Sequence, residues 1–197
     1  VDQVKQCIRG TYLALATLVA GQDGANPLTL CKLYSICVLP KVLFGCELWH
    51  NISRSDMRLI EIAHHFCFKH SQGFRRDTRS DIVKGMLGIT SIEAYIDKQK
   101  LAFFGSVFRT PPTDLVNQLI TYRLFHYSMR ITEKHFGFIP DILSIITKYN
   151  LLYYFDQAIT TGTFPTKLRW KRVGSQTIHR YEQEQWNIRM SLNTDFT

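Results

Sequence analysis

Four side chains capable of metal or acid–base chemistry fall close together in the chain: His64, His65, Cys67 and His70. Imidazole and thiolate are the usual ligands of zinc, but a closed zinc site needs four of them in a tetrahedron. On a helix, His64, Cys67 and His70 lie three residues apart. They drift round one face on consecutive turns instead of converging, and no fourth ligand announces itself elsewhere. They read first as helix residues, with His70 as an alternative phosphate contact and a zinc-dependent helical domain as a competing hypothesis. Nucleophilic catalysis has less support. No G-x-S-x-G is present, and the cysteines (Cys7, Cys31, Cys37, Cys46, Cys67) have apolar neighbours, which raise a thiol's pKa. Asp56, Asp77, Asp81 and Asp156 stand singly, in cap and turn positions. Nucleotidyl transfer needs clustered carboxylates to hold two Mg²⁺ ions, and no apolar strand ends in paired aspartates. No phosphate-cradling glycine loop occurs. Independent enzymatic activity is not expected.

Positive charge is the chemistry that remains. The net charge is +8 and the pI about 9.3, which favours a polyanion partner, nucleic acid before membrane surface. Two basic patches stand out. The first is Lys69, His70, Arg75, Arg76, Arg79 and Lys84, around a turn that follows a helix C-terminus, where dipole compensation is the plain alternative. The second is Lys167, Arg169, Lys171, Arg172, His179 and Arg180. Its span 167–180 holds five Lys/Arg and no acid, with Trp170 interleaved. On a helix Lys167 and Lys171 share one side and Arg169 and Arg172 another. Such faces can meet successive phosphates, and Trp170 can pack inward or stack on a base. The candidate nucleic-acid contacts are Arg75, Arg76, Arg79, Lys167, Arg169, Lys171 and Arg172.

These residues must be positioned by helices. Hydrophobic content of 45% is ample for a core, and no stretch shows sustained period-two alternation. The centre of the fold is expected at 27–50, PLTLCKLYSICVLPKVLFGCELWH. Asn26 caps it, Pro27 suits its first position, and apolar residues surround it, so it reads as a buried helix kinked near Leu39 by Pro40. Lys32, Lys41 and Glu47 argue against a membrane span. About eight helices are expected: 1–20 ended by Gly21 and Gly24, the central stretch, 54–72 with Ser53 and Asp56 as a capping box and Gly73 as stop, 79–87 ended by Gly88, 91–109, 114–130, 140–150 with its short successor, and 166–192. Thr78 with Asp81, Thr90 with Glu93, and Thr113 are the expected caps of the middle helices. Gly105 reads as a close-packing point. A soft boundary is expected near 110–113 or 131–139, separating 1–110 from 111–197. The odd cysteine count without a CxxC pair reads as reduced, buried thiols in an intracellular protein. No signal peptide is visible, and the absence of an initiator Met suggests a fragment.

The segment Leu33-Tyr34, Val38-Leu39-Pro40 and Phe44-Gly45-Cys46-Glu47-Leu48-Trp49 resembles the stretch downstream of the polymerase core in LINE-type, non-LTR retrotransposon reverse transcriptases. The order of further blocks is similar to theirs: IEIAHHFCFKHSQGF, RRDTRSDI, KGMLGITSIEAYIDKQKLAFFGSVFR and, more loosely, FPTKLRWKRVG. The resemblance implies a thumb-like region over 1–110 and a helical linker-like region over 111–197 ending in a basic helix. It implies contact with RNA or an RNA/DNA hybrid through phosphates, and association with an upstream polymerase core in the nucleus or cytoplasm. Val38–Trp49, Gly88–Arg109 and Trp170-Lys171 match family patterns that look structural. The family's paired aspartates (Y/F-A-D-D) are not in this sequence. Mg²⁺ and catalysis would belong to the palm upstream, and this chain would hold no cofactor. The alternative is a helical protein–protein interaction module of transposon origin without nucleic-acid binding.

Overall fold

A computed structural model describes residues 2–19, 26–50, 52–129 and 137–192, and every regular element among them is helical. In chain order these are α1 (Asp2–Val19), α2 (Pro27–Leu33), a π-helical turn (Tyr34–Val38), α3 (Leu39–Val42), a 3-10 turn (Cys46–Leu48), α4 (Arg54–Ser71), α5 (Ser80–Leu87), α6 (Ile92–Val107), α7 (Leu115–Met129), α8 (Phe138–Lys148), α9 (Leu152–Thr161) and α10 (Lys167–Ser191). The all-α expectation is met. Gly21, Gly24, Arg130 and Lys134 lie outside the described residues. No helix among the described residues is long and apolar enough to cross a membrane. The chain forms two compact units. One comprises Val1–Gly45, Ile52–Glu93 and Gln185–Thr197, the other Cys46–Asn51 and Ala94–Glu184. Residues 110–113 lie within the second.

In the first unit, α1 buries Ile8, Tyr12 and Ala16, one residue per turn, and α4 buries Ile60, Ala63, Cys67 and Phe68. Helix α4 begins where Ser53 Oγ accepts the Asp56 N–H at 3.0 Å and donates to the Asp56 carboxylate at 2.8 Å, a cap worth about 1 kcal/mol. It ends at Gly73, whose φ of +70° strains any residue with a Cβ. There the Phe74 N–H reaches back to the Lys69 carbonyl at 2.9 Å, closing the helix in a Schellman turn. Helix α5 starts from Arg79 in extended conformation without a side-chain cap, so Thr78 does not cap it. In the first turn of that helix, the Asp81 carbonyl accepts from Trp186 Nε1–H at 2.9 Å and the Asp81 carboxylate pairs with Arg189 at 3.0 Å. At the start of α6, the Ile92 N–H donates to Glu61 Oε2 at 2.8 Å.

The stretch 27–50 differs from the expected single helix buried on every side. Asn26 and Pro27 start α2 as expected, with Asn26 Oδ1 accepting the Leu28 N–H at 2.8 Å. Pro40 lacks an N–H and crowds the preceding turn. The backbone accommodates it by widening, so that the Leu39 N–H reaches the Tyr34 carbonyl five residues back, a π turn. Helix α3 then stops at Leu43, and Gly45 turns the chain at φ +76°. Leu30, Tyr34, Val38, Leu39 and Leu43 are buried, whereas Ile36 and Phe44 are 70% and 87% exposed. One face is covered, not all.

In the second unit, Ile142, Ile145, Ile146 and Tyr149 of α8 and its C-cap recur at helical spacing and pack with Leu101 and Phe104 of α6 and Trp170 and Ile178 of α10. Two charges on α6 are buried as well. Asp97 accepts from Lys148 Nζ at 2.9 Å and from the Tyr149 hydroxyl at 2.8 Å, and Lys100 pairs with Asp141. Burial of such groups is tolerable only because each is paired. Gly105 is the expected close-packing point: a Cβ there would lie 2.4 Å from Trp170 Cδ1. Helix α7 starts with Asp114 Oδ1 accepting the Val116 N–H at 2.8 Å, so the cap is Asp114 and not Thr113.

Candidate functional site

Helix α10 starts after Thr166 and turns Trp170 inward. The indole is buried and its Nε1–H donates to the Leu101 carbonyl at 2.7 Å. The ring packs against Phe164 with centroids 4.8 Å apart. This satisfies the indole's single donor, and of the two roles expected for Trp170 it takes the structural one. Anchoring Trp170 against Gly105 brings α6 and α10 together along a groove of about 370 Å³. Its floor is formed by Leu101, Trp170, Gly174 and Ile178, and its cationic lining residues are Lys98, Arg109, Lys167 and Lys171. No carboxylate of a described residue lines it, and none of the four cations forms an ion pair with a described residue. Arg109 Nη1 donates to the Pro165 carbonyl at 3.3 Å, and its partial burial lowers its pKa below the usual guanidinium value. Arg169 and Arg172 are exposed and do not line this groove. The two sides expected for the basic helix are therefore distinct. Lys98 and Arg109 are the residues sequence reasoning missed, because they sit on α6 and just past its end, far away in the chain.

The first unit carries a second groove, of about 640 Å³, between α1, the outer side of α4 and the turn after it. Arg9, Lys69, His70, Arg75 and Arg76 line it together with Ile62, Phe66 and Phe74. The turn is pinned at both ends, by the Phe74 N–H to Lys69 carbonyl bond and by Lys69 Nζ donating to the Arg76 carbonyl at 3.0 Å. Among the described residues Arg75 makes only an exposed ion pair with Asp77 at 3.2 Å, the kind of contact worth little in water. Arg79 does not line the groove. Lys84, counted in the same patch, is drawn away to Glu61 at 2.7 Å.

The histidine cluster is divided between different tasks. His64 is buried, with Nδ1 2.7 Å from the Tyr34 hydroxyl and Nε2 3.2 Å from the Thr90 carbonyl. A carbonyl only accepts, so Nε2–H donates to it and Nδ1 accepts from Tyr34. Burial lowers the His64 pKa from 6.5 to about 4. Burial alone would raise the Glu61 pKa, but His65 at 3.0 Å, Lys84 and His64 outweigh it and hold the carboxyl well below the usual range. His70 lies 3.2 Å from the Tyr12 hydroxyl. Among the described residues no group of three or more His, Cys, Asp or Glu is placed to hold a metal ion. Burial pushes the Cys46 and Cys67 thiols up to about 11 and about 12. Cys7 and Cys37, expected to be buried, are exposed.

No protein-family model, curated protein or solved structure matches this chain.

Proposed function

We propose that this chain is a helical region downstream of the palm of a LINE-type reverse transcriptase, holding the phosphate backbone of RNA or an RNA/DNA hybrid and doing no chemistry itself. The observation that carries the reading is the α6–α10 groove, where four cations from two sequence-distant stretches surround a surface with no carboxylate among the described residues. Lys and Arg placed in this way contact phosphates, which position a nucleic acid without reading its sequence. The ordered resemblance over residues 1–110 and, more loosely, 164–190 supports the same reading, and any Mg²⁺-dependent step would belong to the upstream polymerase core. The test is fluorescence anisotropy of a labelled RNA/DNA hybrid titrated with the full chain. Affinity should fall steeply with salt, since each neutralised phosphate releases counterions. Affinity that stays flat with salt, or no binding at low salt, would overturn the proposal.

A second reading is favoured by α7. Leu115, Leu119 and Tyr122, at helical spacing along it, are 78%, 55% and 62% exposed, and Val116 and Phe125 are exposed beside them. A contiguous apolar face of this kind suits a protein partner, as an interaction module would present. That reading expects no hybrid binding at any salt concentration, with loss of partner capture on Leu119→Asp.

A further inference from the structure

We infer that the groove of the first unit binds an unpaired nucleic-acid strand, with bases against Phe74 and phosphates on Arg9, Arg75 and Arg76. This rests on the phosphate-binding reading above and adds the strand state that one groove selects. In a duplex the faces of the bases are stacked on one another and only backbone and groove edges are offered. An apolar, aromatic floor beneath cations has nothing to meet in such a ligand. A single strand offers both a negative backbone and free π faces, and base–aromatic stacking is indifferent to sequence.

The groove's lining combines both kinds of group. Phe66 and Phe74 line it with Ile62, and Arg9, Arg75 and Arg76 line it with no carboxylate among the described lining residues. The Arg9 guanidinium already covers one face of Phe66, 5.0 Å from the ring centroid. No ring or guanidinium of a described residue lies over Phe74, which is only partly buried. Phe74 is also held in place, since its N–H bonds the Lys69 carbonyl at 2.9 Å and Lys69 Nζ holds the Arg76 carbonyl at 3.0 Å. The volume of about 640 Å³ lies inside the range of about 300–1,000 Å³ typical of ligand sites. The α6–α10 groove differs, because the one large aromatic among its described lining residues, Trp170, is buried and hydrogen-bonded.

The experiment compares a labelled oligothymidylate with an abasic oligomer of the same length and phosphate count, using the full chain. The oligothymidylate should bind at least about fivefold more tightly, the contribution of one stacked base. Phe74→Leu keeps the apolar volume and the backbone bond but removes the ring face, and should erase the preference. Arg76→Ala, whose exposed side chain leaves the pinned carbonyl intact, should weaken both oligomers alike. Lys167→Ala with Lys171→Ala should weaken the hybrid and leave the base preference unchanged. Equal affinity for the two oligomers, a preference that survives Phe74→Leu, or competition by thymidine monophosphate as effective as by the oligomer would each overturn the inference. Hybrid binding that persists without a base preference would sink this inference alone. Failure of every probe would sink the phosphate-binding reading with it.

Discussion

Replacing Lys167 and Lys171 together with alanine removes two of the four cations lining the α6–α10 groove. Both are exposed and neither forms an ion pair with a described residue, so the change leaves no partner stranded and the fold should be unaffected. If each lysine neutralises one phosphate, the log–log slope of affinity against salt should become shallower by about 1.8, twice the value of about 0.9 per contact on a duplex. Between roughly 50 and 200 mM salt the parent chain should then lose about twelvefold more affinity than the variant. The difference in slope is the quantity to read, since Lys98, Arg109 and other cations of the chain contribute to the parent slope. Arg169→Ala with Arg172→Ala is the matched control. It removes the same charge from exposed positions of the same helix that do not line the groove. Its slope should change less than half as much, by screened long-range attraction only. Anisotropy titrations of a labelled hybrid at several salt concentrations measure all three proteins. If the arginine pair lowers the slope as much as the lysine pair, phosphates do not sit in the α6–α10 groove and the reasoning is wrong.

The His64 site makes stability depend on pH. Its folded pKa of about 4 lies below the ordinary 6.5, so the unfolded chain binds a proton that the native chain refuses. Stability is full above pH 6.5 and is lost as pH falls toward 4, on the order of 3 kcal/mol in all. Glu61 is held below its usual 4.5 and adds its own acid loss only below that value. Urea melts between pH 6.5 and 4.5 therefore isolate the histidine, and a flat profile for the parent chain, or an unchanged slope in His64→Gln, contradicts the assignment. At Gly105, a methyl group would meet Trp170 at 2.4 Å. Gly105→Ala should destabilise by about 1–3 kcal/mol from overpacking, despite alanine's better helix propensity, and a thermal midpoint equal to or above the parent's would refute the packing.

Much of the fold could be read from local signals. Ser53 with Asp56, Gly73, Gly88 and Pro27 mark element ends because their chemistry acts within a few residues, and the structure places those ends within a residue or two. The separation of Lys167 and Lys171 from Arg169 and Arg172 follows from helical periodicity alone. What depends on partners far along the chain was not readable. Ile62 and Phe66 form an apolar line on α4 as regular as Ile60, Ala63 and Cys67, yet only the second line is covered and the first borders a groove. Periodicity says which residues share a face, not which face meets a neighbour. Nothing in the sequence singles out Lys98 and Arg109, which line the groove only because Gly105 and Trp170 set α6 beside α10. In the polar run Asp97-Lys98-Gln99-Lys100 the first and last members are buried, and the opposing charges of α8, far along the chain, make that possible.

Those two buried ion pairs of the second unit have opposite polarity. At one, α6 supplies the acid and α8 the base; at the other, the roles are exchanged. The smooth isoleucine face of α8 would tolerate a slide along its neighbour, since one apolar residue replaces another at each turn. The charges would not. Moving α8 by two turns, about 10 Å, would bring Asp141 to the place of Lys148 and set two carboxylates against each other at Asp97. The pairs thus act as a lock and key for alignment, giving a core of interchangeable side chains a single permitted setting. Exchanging the members of one pair, Asp97→Lys with Lys148→Asp, would spoil that key by setting a second ammonium group one helical turn before Lys100, even though the exchanged pair itself could still form.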